Sequence, residues 1–333
     1  MFFDRKNFMI SKKLLIIALI FGVLFVPACF AGGKKDAAET SENESAAAPT
    51  DALPARPANA EDRGEVYDAE NLLSFDIYYP TNPKYEKSPL AVAFHGGGWV
   101  SGDKSEIIYT LAPIIKKLRE NGYAVATVGY RYAQQSPFPA QLRDAANAVQ
   151  YMCDNAEKYN IDTNSVGLLG YSAGAQLAML ASYAPVGAGL PLYDREYFFD
   201  IKYCVSLAGP SKMYGGELED YPGGVRYLLE WLFGGQYGEK EAEYISGSPY
   251  YYIDARAKKV PLLLVHDEKD DTVPFSQSEA MYKKALEEKI PCELLVLEGF
   301  SHQIDFNPFS AVPPSGEGAA ASILDFIYKY SGK

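Results

Sequence analysis

Beyond about residue 65, short apolar runs alternate with longer stretches in which apolar positions recur every three or four residues. The short runs are rich in Val, Leu, Tyr and Phe and read as strands, whereas the longer ones read as amphipathic helices. Strands are expected at residues 72–79, 90–94, 124–130, 165–169, 203–207, 260–266 and 293–297, and helices at 107–121, 139–159, 173–183, 276–289 and 319–330. Gly122 ends the first of these helices, as a glycine just past the last periodic residue does. Such alternation requires crossover connections, so residues 64–333 are expected to form one α/β domain with a mainly parallel sheet and helices on both faces. One segment breaks the rhythm. Residues 210–259 are rich in Gly and Tyr, carry Tyr221-Pro222-Gly223-Gly224 and Ser248-Pro249-Tyr250-Tyr251-Tyr252, and hold one amphipathic pattern at 225–233. An insert this long between two strands is expected to be a small cap over a functional site.

The first 63 residues follow neither pattern. Arg5, Lys6, Lys12 and Lys13 precede an unbroken apolar or small-residue run at 14–28, the arrangement of a secretory signal. The run is shorter than the ~20 apolar residues of a membrane span, so residues 1–28 are expected to be a cleaved signal peptide. Val26-Pro27-Ala28-Cys29 resembles the lipobox of bacterial lipoproteins, which implies cleavage before Cys29 and lipidation of its thiol. Simple secretion, with cleavage after Ala28 or Ala31, is the alternative. Residues 29–63 consist largely of Ala, Glu, Ser, Thr, Asp and Pro, which cannot form a core and are expected to be a disordered, lipid-anchored tether. The domain is thus expected outside the cytoplasm, at the bacterial cell envelope, or else secreted or periplasmic.

Charge narrows the partners. With 43 acidic and 31 basic residues the formal net charge is -12, and no basic surface is expected that could neutralise nucleic-acid phosphates or anionic lipid. Attachment to a membrane would then be through the lipid alone. Beyond Cys29, the cysteines Cys153, Cys204 and Cys292 are odd in number and lie in apolar stretches, so they read as buried small residues rather than a disulfide framework. Neither a C-x-x-C pair nor metal-type spacing occurs, and no metal site is expected.

The chemistry is concentrated in three places. The strand at 165–169 runs through Gly170-Tyr171-Ser172-Ala173-Gly174 into a helix, the context of a nucleophile elbow, in which Ser172 would sit in a strained turn and flanking side chains would collide with neighbouring elements. A serine hydroxyl needs a positioned base. Of the 3 histidines, His95 belongs to a glycine turn and His266 ends a strand, leaving His302, after the last strand, as the base. The orienting acid should lie between nucleophile and base; Asp267, Glu268, Asp270 and Asp271 all qualify, and Asp270 is the preferred choice. Gly96-Gly97-Gly98 lets backbone amides approach an oxyanion, so the N–H groups of Gly97, Gly98 and Ala173 are assigned to the hole.

Taken together, these motifs resemble the esterase and lipase branch of the α/β-hydrolases with a His-Gly-Gly-Gly-Trp loop, and within it bacterial carboxylesterases and acetylesterases, including the bifunctional acetyl xylan and feruloyl esterase-like group. The resemblance rests on His95 to Trp99, Tyr130-Arg131-Tyr132 with Asp144, Gly170 to Gly174, Ser248-Pro249, and His266-x-x-x-Asp270-x-x-Val273-Pro274 ahead of Ser301-His302. Asp267 stands where that family usually has Gly. The resemblance implies an α/β-hydrolase fold and a serine carboxylesterase that needs no cofactor and takes a small ester, with acetylated carbohydrate a candidate. Rings at Tyr221, Tyr227, Trp231 and 250–252 would either stack on such a substrate or pack the cap. An arylformamidase-like amidase or peptidase, and a non-catalytic surface lipoprotein, are the alternatives.

Overall fold

The computed structural model describes residues 60–184, 199–254, 259–304, 306 and 316–333; the expected signal segment, Cys29 and nearly all of the expected tether lie outside the described residues. Eight strands form one sheet: β1 (Glu61–Asp68), β2 (Leu73–Tyr78), β3 (Ser88–Phe94), β4 (Ala124–Val128), β5 (Ile161–Tyr171), β6 (Ile201–Leu207), β7 (Leu262–Asp267) and β8 (Cys292–Leu297). Their order is β1-β2-β4-β3-β5-β6-β7-β8. Only the β1–β2 and β2–β4 pairs are antiparallel; β4, β3 and the strands beyond it pair in parallel.

Helices connect the parallel strands or follow the last of them: α1 (Glu106–Thr110), α2 (Ala112–Glu120), α3 (Ala140–Asp154), α4 (Ala156–Tyr159), α5 (Ala173–Tyr183), α6 (Gly223–Phe233), α7 (Tyr237–Ser246), α8 (Ser276–Glu287) and α9 (Gly316–Tyr330). All residues of β3 and β4 are buried, as strands covered on both faces must be, and this is why they read as continuous apolar runs. On one face Ala91, Ala93 and Val125 meet Ile114, Leu118, Ile323 and Ile327 of α2 and α9 in a single apolar cluster. Each such Ile or Leu contributes roughly 1.5–3 kcal/mol through removal from water.

Several boundaries differ from the sequence reading, each for a physical reason. Strand β1 begins at Glu61, inside the stretch read as tether; its many charged residues mark an edge strand that is largely open to solvent, bulged at Gly64, whose N–H donates to Asp76 Oδ1. The helix expected at 139–159 is two, because Asn155 leaves helical geometry between α3 and α4. Between β6 and β7 the insert carries a second helix besides α6: α7 is highly charged and buries only Tyr244. Cys153 and Cys204 are buried as expected, but Cys292 opens the edge strand β8 and is partly exposed; all three are free thiols.

The order of the sheet places the site. The chain leaves β3 for β4 on one side and then returns to add β5 on the other, so the loops after β3 and β5 diverge from adjacent strands and leave a crevice at their carboxyl ends. Over that edge the insert folds back: Phe138 N donates to Leu232 O, and the Phe138 and Phe233 rings meet edge to face with centroids 5.6 Å apart.

Candidate active site

Strand β5 ends at Tyr171 and α5 begins at Ala173, leaving Ser172 alone in the turn with φ 53° and ψ −118°. A non-glycine residue in that region costs on the order of 1–3 kcal/mol and persists only where its surroundings hold it. They do so through two glycines. A Cβ on Gly170 would stand 2.1 Å from Gly174 O, and one on Gly174 would stand 2.2 Å from Phe94 O at the end of β3. Ser172 N donates to Leu207 O across the strand end at 2.8 Å. The sharp turn therefore points the hydroxyl away from the sheet edge, as the sequence motif implies.

His302 meets that hydroxyl. Its Nε2 lies 2.9 Å from Ser172 Oγ and its Nδ1 lies 2.8 Å from Asp270 Oδ2. Because the carboxylate can only accept, Nδ1 carries the hydrogen and Nε2 is left to accept from the serine. The three residues thus form one line running from the turn after β5 to the loops after β8 and β7. Tyr171 braces the base: its hydroxyl donates to the His302 carbonyl, and its ring lies 5.5 Å from the imidazole.

Asp270 is the acid that reaches His302, and Asp267 does something else. The Asp267 side chain is wholly buried; Oδ2 accepts from Phe300 N at 2.6 Å and Oδ1 from Lys269 N at 2.8 Å. It ties the loop that carries His302 to the end of β7. Asp270 Oδ1 accepts from the amides of Thr272 and Val273 at 2.8 and 2.9 Å, which fixes its carboxylate plane. Burial alone would raise the Asp270 pKa, but hydrogen bonds from His266 and His302 outweigh it and hold the carboxyl well below the usual range. It therefore stays ionised through the neutral range.

The glycine turn after β3 lies beside the elbow. Gly97 and Gly98 have φ of 108° and 58°, and a Cβ on Gly97 would stand 2.1 Å from Ser101 O. Among the described residues the amides of Gly97, Gly98 and Ala173 donate to no protein acceptor, so all three remain available to an oxyanion. His95 holds the turn: its ring stacks on Tyr130 at 4.2 Å, its Nδ1 donates to Gly96 O at 2.7 Å, and burial pulls its pKa down to about 4. Tyr130 in turn donates to His95 O at 2.7 Å. Arg131 grips Asp144 through Nη2 and Nε at 2.6 and 2.9 Å, and the Ser248 hydroxyl takes the Met213 amide at 2.9 Å while donating to Tyr244 O. His95, Tyr130, Arg131, Asp144 and Ser248 thus build the frame around the glycine turn and the insert.

Some participants were not evident in advance. Gln176, on α5, accepts from Trp99 Nε1 at 3.0 Å and donates to Gly247 O at 2.7 Å, linking the glycine turn, the elbow helix and the insert. His266 shares Asp270 with His302; its spacing four residues before Asp270 was the only sequence signal. Of the insert's aromatic residues, Tyr221 and Tyr252 are buried, Tyr227 packs on Trp231 with centroids 5.9 Å apart, and Tyr250 lies 4.0 Å under Lys284 Nζ. Packing is their observed role, with Tyr251 the exposed one. Among the described residues no group of three or more His, Cys, Asp or Glu could hold a metal, and no helix is long and apolar enough to cross a membrane.

This arrangement can move the Ser172 proton to His302 and place an attacked carbonyl oxygen among three free amides. Comparison with known proteins bears on which family uses it. The family model BD-FAE matches residues 75–285, well over half of the chain. The chain belongs to the BD-FAE family. Among individual relatives, a rice protein named a probable isoprenylcysteine alpha-carbonyl methylesterase is 25% identical over 253 residues, covering 72% of this chain and 57% of its own length. Esterase LipQ of Mycobacterium tuberculosis is 26% identical, covering 63% of this chain and 48% of its own. The chain thus spans about half the length of these curated relatives. Among solved structures, a truncated carbohydrate esterase from gut microbiota superposes with a TM-score of 0.68 at 20% identity, covering 84% of this chain and 99% of its own. At that identity the likeness establishes the fold, which is the α/β-hydrolase fold, as the BD-FAE match and the mostly parallel sheet also require.

Proposed function

We propose that this member of the BD-FAE family is a serine carboxylesterase acting on a small carboxylic ester. The observation that carries the reading is the unbroken line Ser172 Oγ to His302 to Asp270, at 2.9 and 2.8 Å. In the reaction His302 Nε2 takes the Ser172 proton as Oγ bonds to the ester carbonyl carbon, and the carbonyl oxygen gains its charge among the Gly97, Gly98 and Ala173 amides. Each such donor is worth about 10²–10³ in turnover. Collapse breaks the bond to the alcohol, which leaves with the proton from His302. Water then repeats the sequence on the acyl-enzyme, and the acid departs.

Acetylated carbohydrate is the substrate we favour within that class. The support is the structural neighbour from gut microbiota, a carbohydrate esterase. We further propose that residues 1–28 are removed and that lipid on Cys29 holds the domain at the cell envelope, which the leader pattern supports. Mass spectrometry of the N-terminal peptide from cells should find a diacylglyceryl-modified Cys29, and an unmodified Cys29 sinks the anchor.

The activity is tested directly on the full chain. It should hydrolyse p-nitrophenyl acetate, release acetate from acetylated xylan, and carry a single fluorophosphonate adduct on Ser172. Turnover of anilide or formamide analogues at rates above the esters would shift the assignment to an amidase, and folded protein that takes no label would favour a non-catalytic platform.

A further inference from the structure

Asp270 serves two histidines with one oxygen. His302 Nδ1 lies 2.8 Å from Oδ2, and His266 Nε2 lies 3.1 Å from the same atom. The His266 side chain is wholly buried at the end of β7, and its Nε2 is also 3.0 Å from Val273 O. A carboxylate and a carbonyl can only accept, so this nitrogen carries a hydrogen and shares it between them. On the far side of the ring Nδ1 is 2.7 Å from the hydroxyl of Ser278 on α8, where it accepts that proton. Phe275, at the start of α8, closes the pocket with its ring edge-on at 5.7 Å. Every polar atom of the imidazole therefore has one assigned role.

We propose that His266 is a positioning residue for the esterase reaction, competing with His302 for Asp270 Oδ2 and so limiting how strongly Asp270 stabilises a protonated His302. This rests on the serine-esterase reading above. The hydrogen bond from His266 satisfies part of the carboxylate's charge, and what remains is offered to His302. Without it the acid would be a stronger acceptor for His302 alone, and His302 would hold its proton to higher pH. That would leave less free base at the pH of catalysis. The other groups facing the pair leave this balance to His266. The phenols of partly buried Tyr171 and buried Tyr221 are kept protonated by desolvation, with the Asp270 charge adding to both and Asp220 to Tyr221, and Asp267 spends both oxygens on backbone amides.

The test compares His266→Leu, which removes the donor, with His266→Gln, whose side-chain amide can restore one. In the full chain, the acid limb of kcat/KM and the midpoint of the His302 ring resonances by NMR should both move upward in His266→Leu, by roughly half to one pH unit. His266→Gln should return both toward the wild-type value. A midpoint that is unchanged or lower in a folded His266→Leu protein overturns the proposal, because simple packing loss would not raise it. Should His266→Leu fail to fold, two further measurements decide. Nitrogen shifts of the wild-type protein must show His266 as the neutral Nε2–H tautomer, and Ser278→Ala, which frees Nδ1, must shift the His302 midpoint. An Nδ1–H tautomer, or no shift, overturns the proposal. The NMR midpoint needs no substrate, so a protein that shows the shift but hydrolyses no ester would refute the esterase reading alone.

Discussion

The two edges of the parallel sheet use left-handed backbone for different ends. Where helices run into the amino ends of strands, positive φ falls on Gly122, Asn160 and Lys289, just ahead of β4, β5 and β8. These are ordinary helix terminations: Tyr123 N reaches back to Leu118 O and Ile290 N to Ala285 O, closing the last turn. At the carboxyl ends, apart from glycines such as Gly97, Gly98 and Gly299, positive φ falls on Trp99, Ser172, Ala208 and Ser301, after β3, β5, β6 and β8. No helix ends there, and none of these residue types favours that conformation. Strain at this edge is held by tertiary bonds such as Ser172 N to Leu207 O and Ala208 N to Val265 O, both 2.8 Å. The amino edge turns the chain, and the carboxyl edge aims side chains.

The sharpest way to break that distinction is at the elbow. Ser172→Ala should keep its melting temperature within a few degrees yet lose turnover by roughly 10⁶-fold; near-normal ester turnover would remove Ser172 from the chemistry. Next comes Asp270→Asn, which retains the geometry but offers His302 a neutral partner, with an expected loss of about 10⁴-fold in kcat. Steady-state kinetics on p-nitrophenyl acetate measures both.

How far these residues were visible in the sequence depended on whether a local rule fixed them. The elbow was legible because Gly170 and Gly174 have no alternative, each facing backbone at 2.1–2.2 Å where a Cβ would sit. The central strands were legible because burial on both faces leaves only apolar residues. Choosing between Asp267 and Asp270 was not a local matter, since it depends on which carboxylate the distant loop at 299–302 presents a backbone amide to. For the same reason the reach of Asp270 to His302 and the Gln176 bridge to Gly247 were hidden, each being defined by a partner far along the chain, whereas β1 was hidden because its charged residues lack the apolar run that marks a strand.

Gly97→Ala should lower kcat by roughly 10²–10³, because its Cβ would force Ser101 and the oxyanion amides apart; an unchanged kcat would place the oxyanion elsewhere. His95 gives a pH signature to the same edge. Its folded pKa of about 4 lies below its ordinary 6.5, so the unfolded chain binds the extra proton, and stability contributed above pH 6.5 is lost as pH falls toward 4. The loss amounts to about 3 kcal/mol. Denaturant melts at pH 7 and pH 4.5 should show it, and a His95→Gln protein should show a flatter profile. The smallest effect belongs to the amino edge. Gly122→Ala, at φ 89° against the Tyr85 ring, should cost about 1 kcal/mol of stability and leave kcat/KM unaltered. A matching loss of activity would erase the contrast between the edges.

The Gln176 amide also couples the insert to the elbow. Its oxygen is committed to Trp99 and its nitrogen to Gly247 O, so the amide cannot turn over without breaking both bonds. The insert is thus keyed to the elbow helix through one backbone carbonyl, alongside the bond from Phe138 N to Leu232 O. A change in the insert that moved Gly247 O would free the Gln176 amide and so be felt at Trp99 and the glycine turn.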